Sequence, residues 1–213
     1  MDKDVMNYRG CTIKIVQDED AQSPDDWGND DAFLVYDHRN FSVGREGFDP
    51  REIFESCSER KRMFYEGYYV FTCYAYIHSG VSLSLQRNNV GWWHGNWDTS
   101  STGFVLVKRS KENKWWHKCK AREVAQATVD EWNEYLSGNV YGFQTFDAEG
   151  NDIDSCWGFY GDPDGDVLAE AKGSIDCHIR GELKARINLI KTWIRNRVPL
   201  YVRAQEPFKY SLV

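Results

Sequence analysis

Cys156 is the side chain of this sequence best placed for nucleophilic chemistry. It lies in Asp154-Ser155-Cys156-Trp157-Gly158-Phe159-Tyr160-Gly161-Asp162, where large aromatics alternate with glycines between carboxylates. A thiol attacks as its thiolate and needs a neighbouring base to get there. The one histidine downstream is His178, 22 residues on, and nothing predicts a helix starting at Cys156. The expected fate of Cys156 is a packed thiol beside a tryptophan. A second constellation, His38, His78 and Asp98, has the residue types for acid–base work if the fold brings them together. With Cys156 it defines one alternative for the chain, a small hydrolase or transferase. No catalytic residue is assigned on sequence grounds.

Metal and cofactor chemistry find little support. His117-Lys118-Cys119 and Cys177-His178 offer imidazole and thiol ligands. Zinc sites space such ligands by about two to four residues within each pair, and neither pair does so. Asp162, Asp164 and Asp166 imitate the opening of a calcium loop, yet the sixth and twelfth positions hold Val167 and Gly173 instead of Gly and Glu. There is no phosphate-binding P-loop, dinucleotide fingerprint, zinc-deaminase signature or Gly-x-Ser-x-Gly elbow. No metal and no cofactor are expected.

Binding is better represented than catalysis. Residues 18–31 carry Asp18, Glu19, Asp20, Asp25, Asp26, Asp30 and Asp31 with no basic residue. Such a loop either stays solvated or steers the protein onto a basic partner surface. Trp27 at its centre suits an aromatic anchor. Trp92, Trp93 and Trp97, in a polar stretch over 86–102, are further anchors. Asp25, Asp26, Trp27, Asp30, Asp31, Trp92, Trp93 and Trp97 therefore form the expected partner-binding set. The C-terminal region has the opposite sign: Arg180, Lys184, Arg186, Lys191, Arg195, Arg197, Arg203 and Lys209 stand against Glu182 and Glu206. There Leu183, Ile187, Ile190 and Ile194 make an apolar stripe, while Arg180, Lys184, Lys191 and Arg195 make an alternative anion-facing surface for nucleic acid or an acidic protein.

The elements that must position these groups are read from periodicity. Residues 11–16 and 33–36 read as strands. Asp49-Pro50 opens a helix running to about Arg62, in cap-then-proline order. Tyr68 to Ile77 and Val81 to Leu85 suggest a hairpin, and Gly103 to Val107 a further strand. The helix over 119–137 puts Ala121, Ala125, Thr128, Trp132 and Tyr135 on one face and stops at Gly138. Val140–Phe146 and Cys156–Tyr160 read as a hairpin. Helices are predicted at 165–176 and 182–197, and a closing strand at 198–202. The pattern predicts one α+β domain over residues 1–213, a mostly antiparallel sheet with three to four helices packed on it.

Composition sets the class. The chain has 213 residues, 41% hydrophobic and 15% aromatic, which is ample for a core. A net charge of −7 disfavours nonspecific nucleic-acid binding by the whole surface. The six cysteines are scattered without a CxxC pair, and no apolar run follows a basic start, so reduced thiols and a cytoplasmic location are expected. No stretch approaches the roughly 18 apolar residues that cross a bilayer, so no membrane partner is expected.

Two resemblances bear on function. Ser155 to Phe159 resembles the nucleophile segment of papain-like cysteine proteases, without the histidine and asparagine that class requires. A broader likeness runs over about residues 30–161. Asp37-His38-Arg39, Tyr76 to Ser84, Trp97-Asp98-Thr99-Ser100, Gly103-Phe104-Val105, Leu136 to Gly142 and Asp154 to Gly161, in that order, resemble a family of bacteriophage and prophage proteins with no assigned activity. Where that family tends to read Pro-Trp-Asp-Ser-Gly, this chain has Asn96-Trp97-Asp98-Thr99-Ser100, so a function tied to that loop is expected to differ. The resemblance implies a small accessory protein made during infection. Such genes often encode inhibitors of host defence, antirestriction and anti-CRISPR proteins among them. The expected function is thus a non-enzymatic inhibitor that binds a host protein, such as a nucleic-acid-handling defence complex. A hydrolase or transferase and a nucleic-acid-binding accessory protein are the alternatives. A homo-oligomer is compatible with each.

Overall fold

The computed structural model describes residues 4–28, 30–60, 64–77, 80–86, 99–109 and 118–197. Among them the chain forms ten strands, in antiparallel sheets, and three helices. The first sheet, in order β1-β2-β9-β10, joins Asp4–Tyr8, Cys11–Gln17, Val140–Phe146 and Asp152–Tyr160. The second has order β4-β3-β8-β6-β5, with β7 also paired to β6. Its strands are β3 (Ala32–His38), β4 (Phe41–Val43), β5 (Phe64–Tyr65), β6 (Tyr68–Ile77), β7 (Val81–Ser84) and β8 (Thr99–Lys108). The second sheet is inserted between β2 and β9, which pair directly from Thr12↔Phe146 to Gln17↔Tyr141.

Alternation of side chains across a strand decides what each helix covers. Leu34 and Tyr36 of β3 face α2 (Lys118–Leu136), whose Ala121, Ala125, Val129 and Trp132 are buried against them with Val105 and Val107. Phe33 and Val35 point the other way, into a cluster with Phe104, Leu106 and Ile53 of α1 (Pro50–Arg60). Burial on both faces explains why β3 reads as an unbroken apolar run. Gly103 is required opposite Tyr36, since an added Cβ would lie 1.9 Å from the tyrosine ring. The apolar face predicted for α2 is the face it buries. A Schellman close ends it, with the Asn139 N–H on the Glu134 carbonyl, the Gly138 N–H on the Tyr135 carbonyl and Gly138 at φ 71°. Asn133 of α2 clamps β7: the Leu83 N–H donates to Asn133 Oδ1 at 2.7 Å, and Asn133 Nδ2 donates to the Leu83 carbonyl at 3.0 Å.

On the first sheet, Cys11, Ile13, Ile15, Tyr141 and Phe143 pack against Val167, Leu168, Ala171 and Ile175 of α3 (Asp166–Arg197). Here the structure corrects a boundary. The helices predicted at 165–176 and 182–197 are one helix, Asp166–Arg197. Gly181, in the gap between them, costs about 1 kcal/mol against alanine, which weakens a helix without ending it, and Gly173 inside the first predicted helix does the same. Strands β1, β4 and β5 were not predicted. They are short or at sheet margins, where the hydrophobic alternation is weak. The predicted strand at 198–202 lies outside the described residues. Among those residues no helix is long and apolar enough to cross a membrane.

Candidate interaction surface

α3 has two parts. Its first turns dock on the sheet, and Thr145 Oγ1, fully buried, donates to the Asp154 carbonyl and lies 3.3 Å from Ser174 Oγ of the helix. From Gly181 to Arg197 every residue is exposed. At 1.5 Å per residue this arm is about 25 Å long. It carries six large apolar side chains in solvent, from Ile194 at 41% exposed to Leu189 at 70%, with Leu183, Ile187, Ile190 and Trp193 between. Each would contribute about 1.5–3 kcal/mol if fully buried.

The stripe of Leu183, Ile187, Ile190 and Ile194 does not simply prolong the docked face. At 100° per residue its centre lies about 115° around the helix from that of Val167, Leu168, Ala171 and Ile175. Leu189 and Trp193 continue the docked direction; the stripe faces elsewhere. Cations flank it on both sides. Arg180, Lys184, Lys191 and Arg195 follow one edge, and Arg186 and Arg197 the other, with Glu182 as the one carboxylate of the arm. Arg197 stacks on Trp193 at 4.7 Å, and Arg180 Nε donates to the Asp176 carbonyl at 3.0 Å. Among the described residues no ion pair engages Lys184, Lys191 or Arg195.

The acidic loop is organised differently. Residues Pro24–Trp27 form a 3-10 turn. Asp26 Oδ2 accepts from the N–H and hydroxyl of Ser23 at 3.0 and 2.9 Å. Asp30 pairs with Arg45, whose guanidinium also lies 4.1 Å from the Phe33 ring centre, and Asp31 pairs with Lys108 at 3.3 Å. Asp25 is half-buried. Its Oδ2 is buried with no hydrogen-bond partner, and burial pushes its carboxyl up to about 6 against the pull of Arg45. The side chain of Trp27, and all of Trp92, Trp93 and Trp97, lie outside what the structure describes.

Of the candidate catalytic groups, His38 and Cys156 lie among the described residues. His38, partly buried at the end of β3, accepts the Asn40 N–H on Nδ1 at 3.3 Å. His78 and Asp98 fall outside the described residues. Cys156 is exposed on β10, with Sγ 3.9 Å from the neighbouring Trp157 carbonyl. The aromatic–glycine segment around it is a strand bulge. Cys156 pairs with Phe143 and Phe159 with Tyr141, leaving one extra residue on β10 and Gly158 at φ 85°. Trp157 thereby covers Gly142 of β9, where a Cβ would lie 2.2 Å from the indole. Cys11, Cys57, Cys73, Cys156 and Cys177 are all free thiols, and burial pushes Cys73 up to about 12. No group of side chains able to hold a metal occurs among the described residues. A shallow depression of about 480 Å³ between β3, β4 and α1 is lined by Asp37, Ser42, Arg45, Asp49 and Glu52, without a histidine.

No protein-family model, no curated protein and no solved structure matches the chain.

The sequence located the stripe and the cations, but a stripe on an amphipathic helix reads as a core face. The signal that distinguishes it is the change of phase near Ile179. The docked positions before that residue and the stripe of Leu183, Ile187, Ile190 and Ile194 after it cannot face one flat sheet together.

Proposed function

We propose that this chain is a phage-encoded accessory protein that acts without turnover, by docking on a protein of a host antiviral defence complex of the antirestriction or anti-CRISPR type. The reading rests on the α3 arm. A helix that leaves its supporting sheet and still carries six exposed large apolar residues is supported by little but its own backbone, and isolated helices of this length are marginal in water. Such a surface is ordinarily covered in use. The bacteriophage resemblance supplies the setting, and this reading places the docking on the arm, with the acidic loop as the competing surface.

The test compares the tagged wild type with Ile187→Glu/Ile190→Glu in an infected host. Both positions are exposed, so the variant should fold with unchanged circular dichroism and urea midpoint. The expected result is a stoichiometric host protein captured by the wild type and lost in the variant, with loss of plaque formation on a defended host. Full retention of both would remove the arm from the function.

A second reading has one observation behind it. Lys184, Lys191 and Arg195 of the arm, with Arg180 just before it, lie along one edge, as a nucleic-acid-binding helix would have them. Four bulky aliphatic side chains at the centre of the surface fit phosphate and base edges poorly. A fluorescent duplex titrated at 50 and 200 mM salt decides: nucleic-acid binding through the arm would weaken steeply across that range.

A further inference from the structure

We infer that the occupant of the α3 arm is an acidic amphipathic helix of another protein, paired with it as a short two-stranded coiled coil. This rests on the docking reading above and specifies the partner's chemistry. The stripe residues are spaced by four, three and four, the alternation of a heptad seam. Ile187 and Ile194 then occupy a positions, and Leu183 and Ile190 occupy d. β-Branched residues at a with Leu at d favour two strands in parallel pairing, a condition met at Leu183 and for the partner to supply opposite Ile190. Lys184 and Lys191 fall at e, and Arg186 and Trp193 at g. The seam ends at cations as well, since Arg180 and Arg197 hold the a and d positions that would extend it.

These flanks choose the partner. In a parallel pair of identical arms, Arg186 would face Lys191 of the other copy. In an antiparallel pair, Lys184 and Lys191 would meet each other. Either arrangement sets like charges side by side, so a second copy is selected against. A helix with Glu or Asp at e and g meets opposite charges along both edges. The seam spans little more than three turns, so the partner must bring a helix that is already formed, as part of its own fold. A nucleic acid offers the anions but no seam. An anionic membrane offers both, and competes in the test.

The experiment uses full-length protein and two stapled helical peptides of equal length. Both have Ile at a and Leu at d; one has Glu at every e and g, the other Lys. The readout is fluorescence anisotropy of the labelled peptide. The Glu peptide is expected to bind about tenfold or more tighter than the Lys peptide at 50 mM salt, with the gap narrowing at 0.5 M. Ile187→Glu/Ile190→Glu should abolish binding, and Lys184→Gln/Lys191→Gln should reduce the preference for Glu while sparing affinity at high salt. Equal binding of the two peptides would overturn the inference, as would dimerisation of the protein through the stripe by sedimentation. Tighter binding to phosphatidylglycerol vesicles than to the Glu peptide would assign the arm to membrane instead. If the arm variant fails in infection and the Glu peptide does not bind, docking stands and the partner chemistry falls. If the arm variant succeeds in infection, docking itself falls.

Discussion

From Asp166 to Ile179, α3 buries Val167, Leu168, Ala171 and Ile175 against a sheet; from Gly181 to Arg197 the same helix holds larger apolar side chains in water. Composition does not separate the halves, since both are amphipathic. What separates them is what lies opposite. The first half meets Cys11, Ile13, Ile15, Tyr141 and Phe143, while the second half has run past the sheet with its stripe turned away. An apolar stripe in a sequence reports that a surface wants cover, not which chain provides it.

The largest contrast in stability should fall across that boundary. Ile175→Ala, at a fully buried position, is expected to lower the unfolding free energy by about 2–5 kcal/mol. Ile187→Ala, on the arm, is expected to change it by no more than about 0.5 kcal/mol. Urea denaturation measures both. Comparable losses would mean that Ile187 is packed in the folded chain, and the docking reading would lose its basis.

A smaller contrast lies between the acidic loop and the basic arm. Asp25 has a carboxyl pKa of about 6 in the folded chain, against an ordinary value near 3.8. Burial is the main cause, Asp26 and Glu131 add to it, and Arg45 opposes it. The folded state therefore holds the proton more tightly, so stability falls as pH rises from about 4 to about 6 and is level above. A dry group with this shift would account for about 3 kcal/mol, and solvent access at this half-buried carboxyl cuts that to about 1 kcal/mol. Asp25→Asn keeps an acceptor for the Leu34 N–H and removes the charge. Its expected effect is a gain of about 1 kcal/mol at pH 7 that disappears near pH 4, read from urea midpoints across pH. A loss at pH 7 would show that the charged form of Asp25 serves the folded chain.

Legibility in the sequence followed the same divide between pattern and neighbour. Period and capping located α2 with its buried face, the start of α1 at Asp49-Pro50, and the β9–β10 hairpin. The division of the strands into two sheets was not legible, because β2 pairs with β9 across more than a hundred residues and no local signal records it. The bulge at Trp157-Gly158 stood out as an odd composition, yet its purpose depends on Gly142 in the next strand. In the acidic loop the charges were plain and their partners were not. Arg45 and Lys108, which pair with Asp30 and Asp31, belong to other segments of the chain.

The smallest effects on folding should come from those paired loop carboxylates, and they give the sharpest test of which charged region docks. Asp30 and Asp31 are mostly exposed, and exposed pairs contribute about 0–1 kcal/mol. Asp26 serves Ser23 as an acceptor, a role asparagine can keep in part. Asp26→Asn, Asp30→Asn and Asp31→Asn should therefore each leave stability within about 1 kcal/mol of wild type. Charge that meets an acidic partner accelerates association, and salt screens that acceleration. If the arm docks, Lys184→Gln/Lys191→Gln lowers the association rate with the captured host protein and flattens its dependence on salt. The three loop substitutions remove negative charge that such a partner would oppose, so they should leave that rate unchanged or raise it slightly. Stopped-flow or surface-based kinetics at 50 and 300 mM salt separates the two regions. A rate that falls on neutralising the loop and ignores the arm would return the docking role to Asp26, Asp30 and Asp31, and would make the partner surface basic.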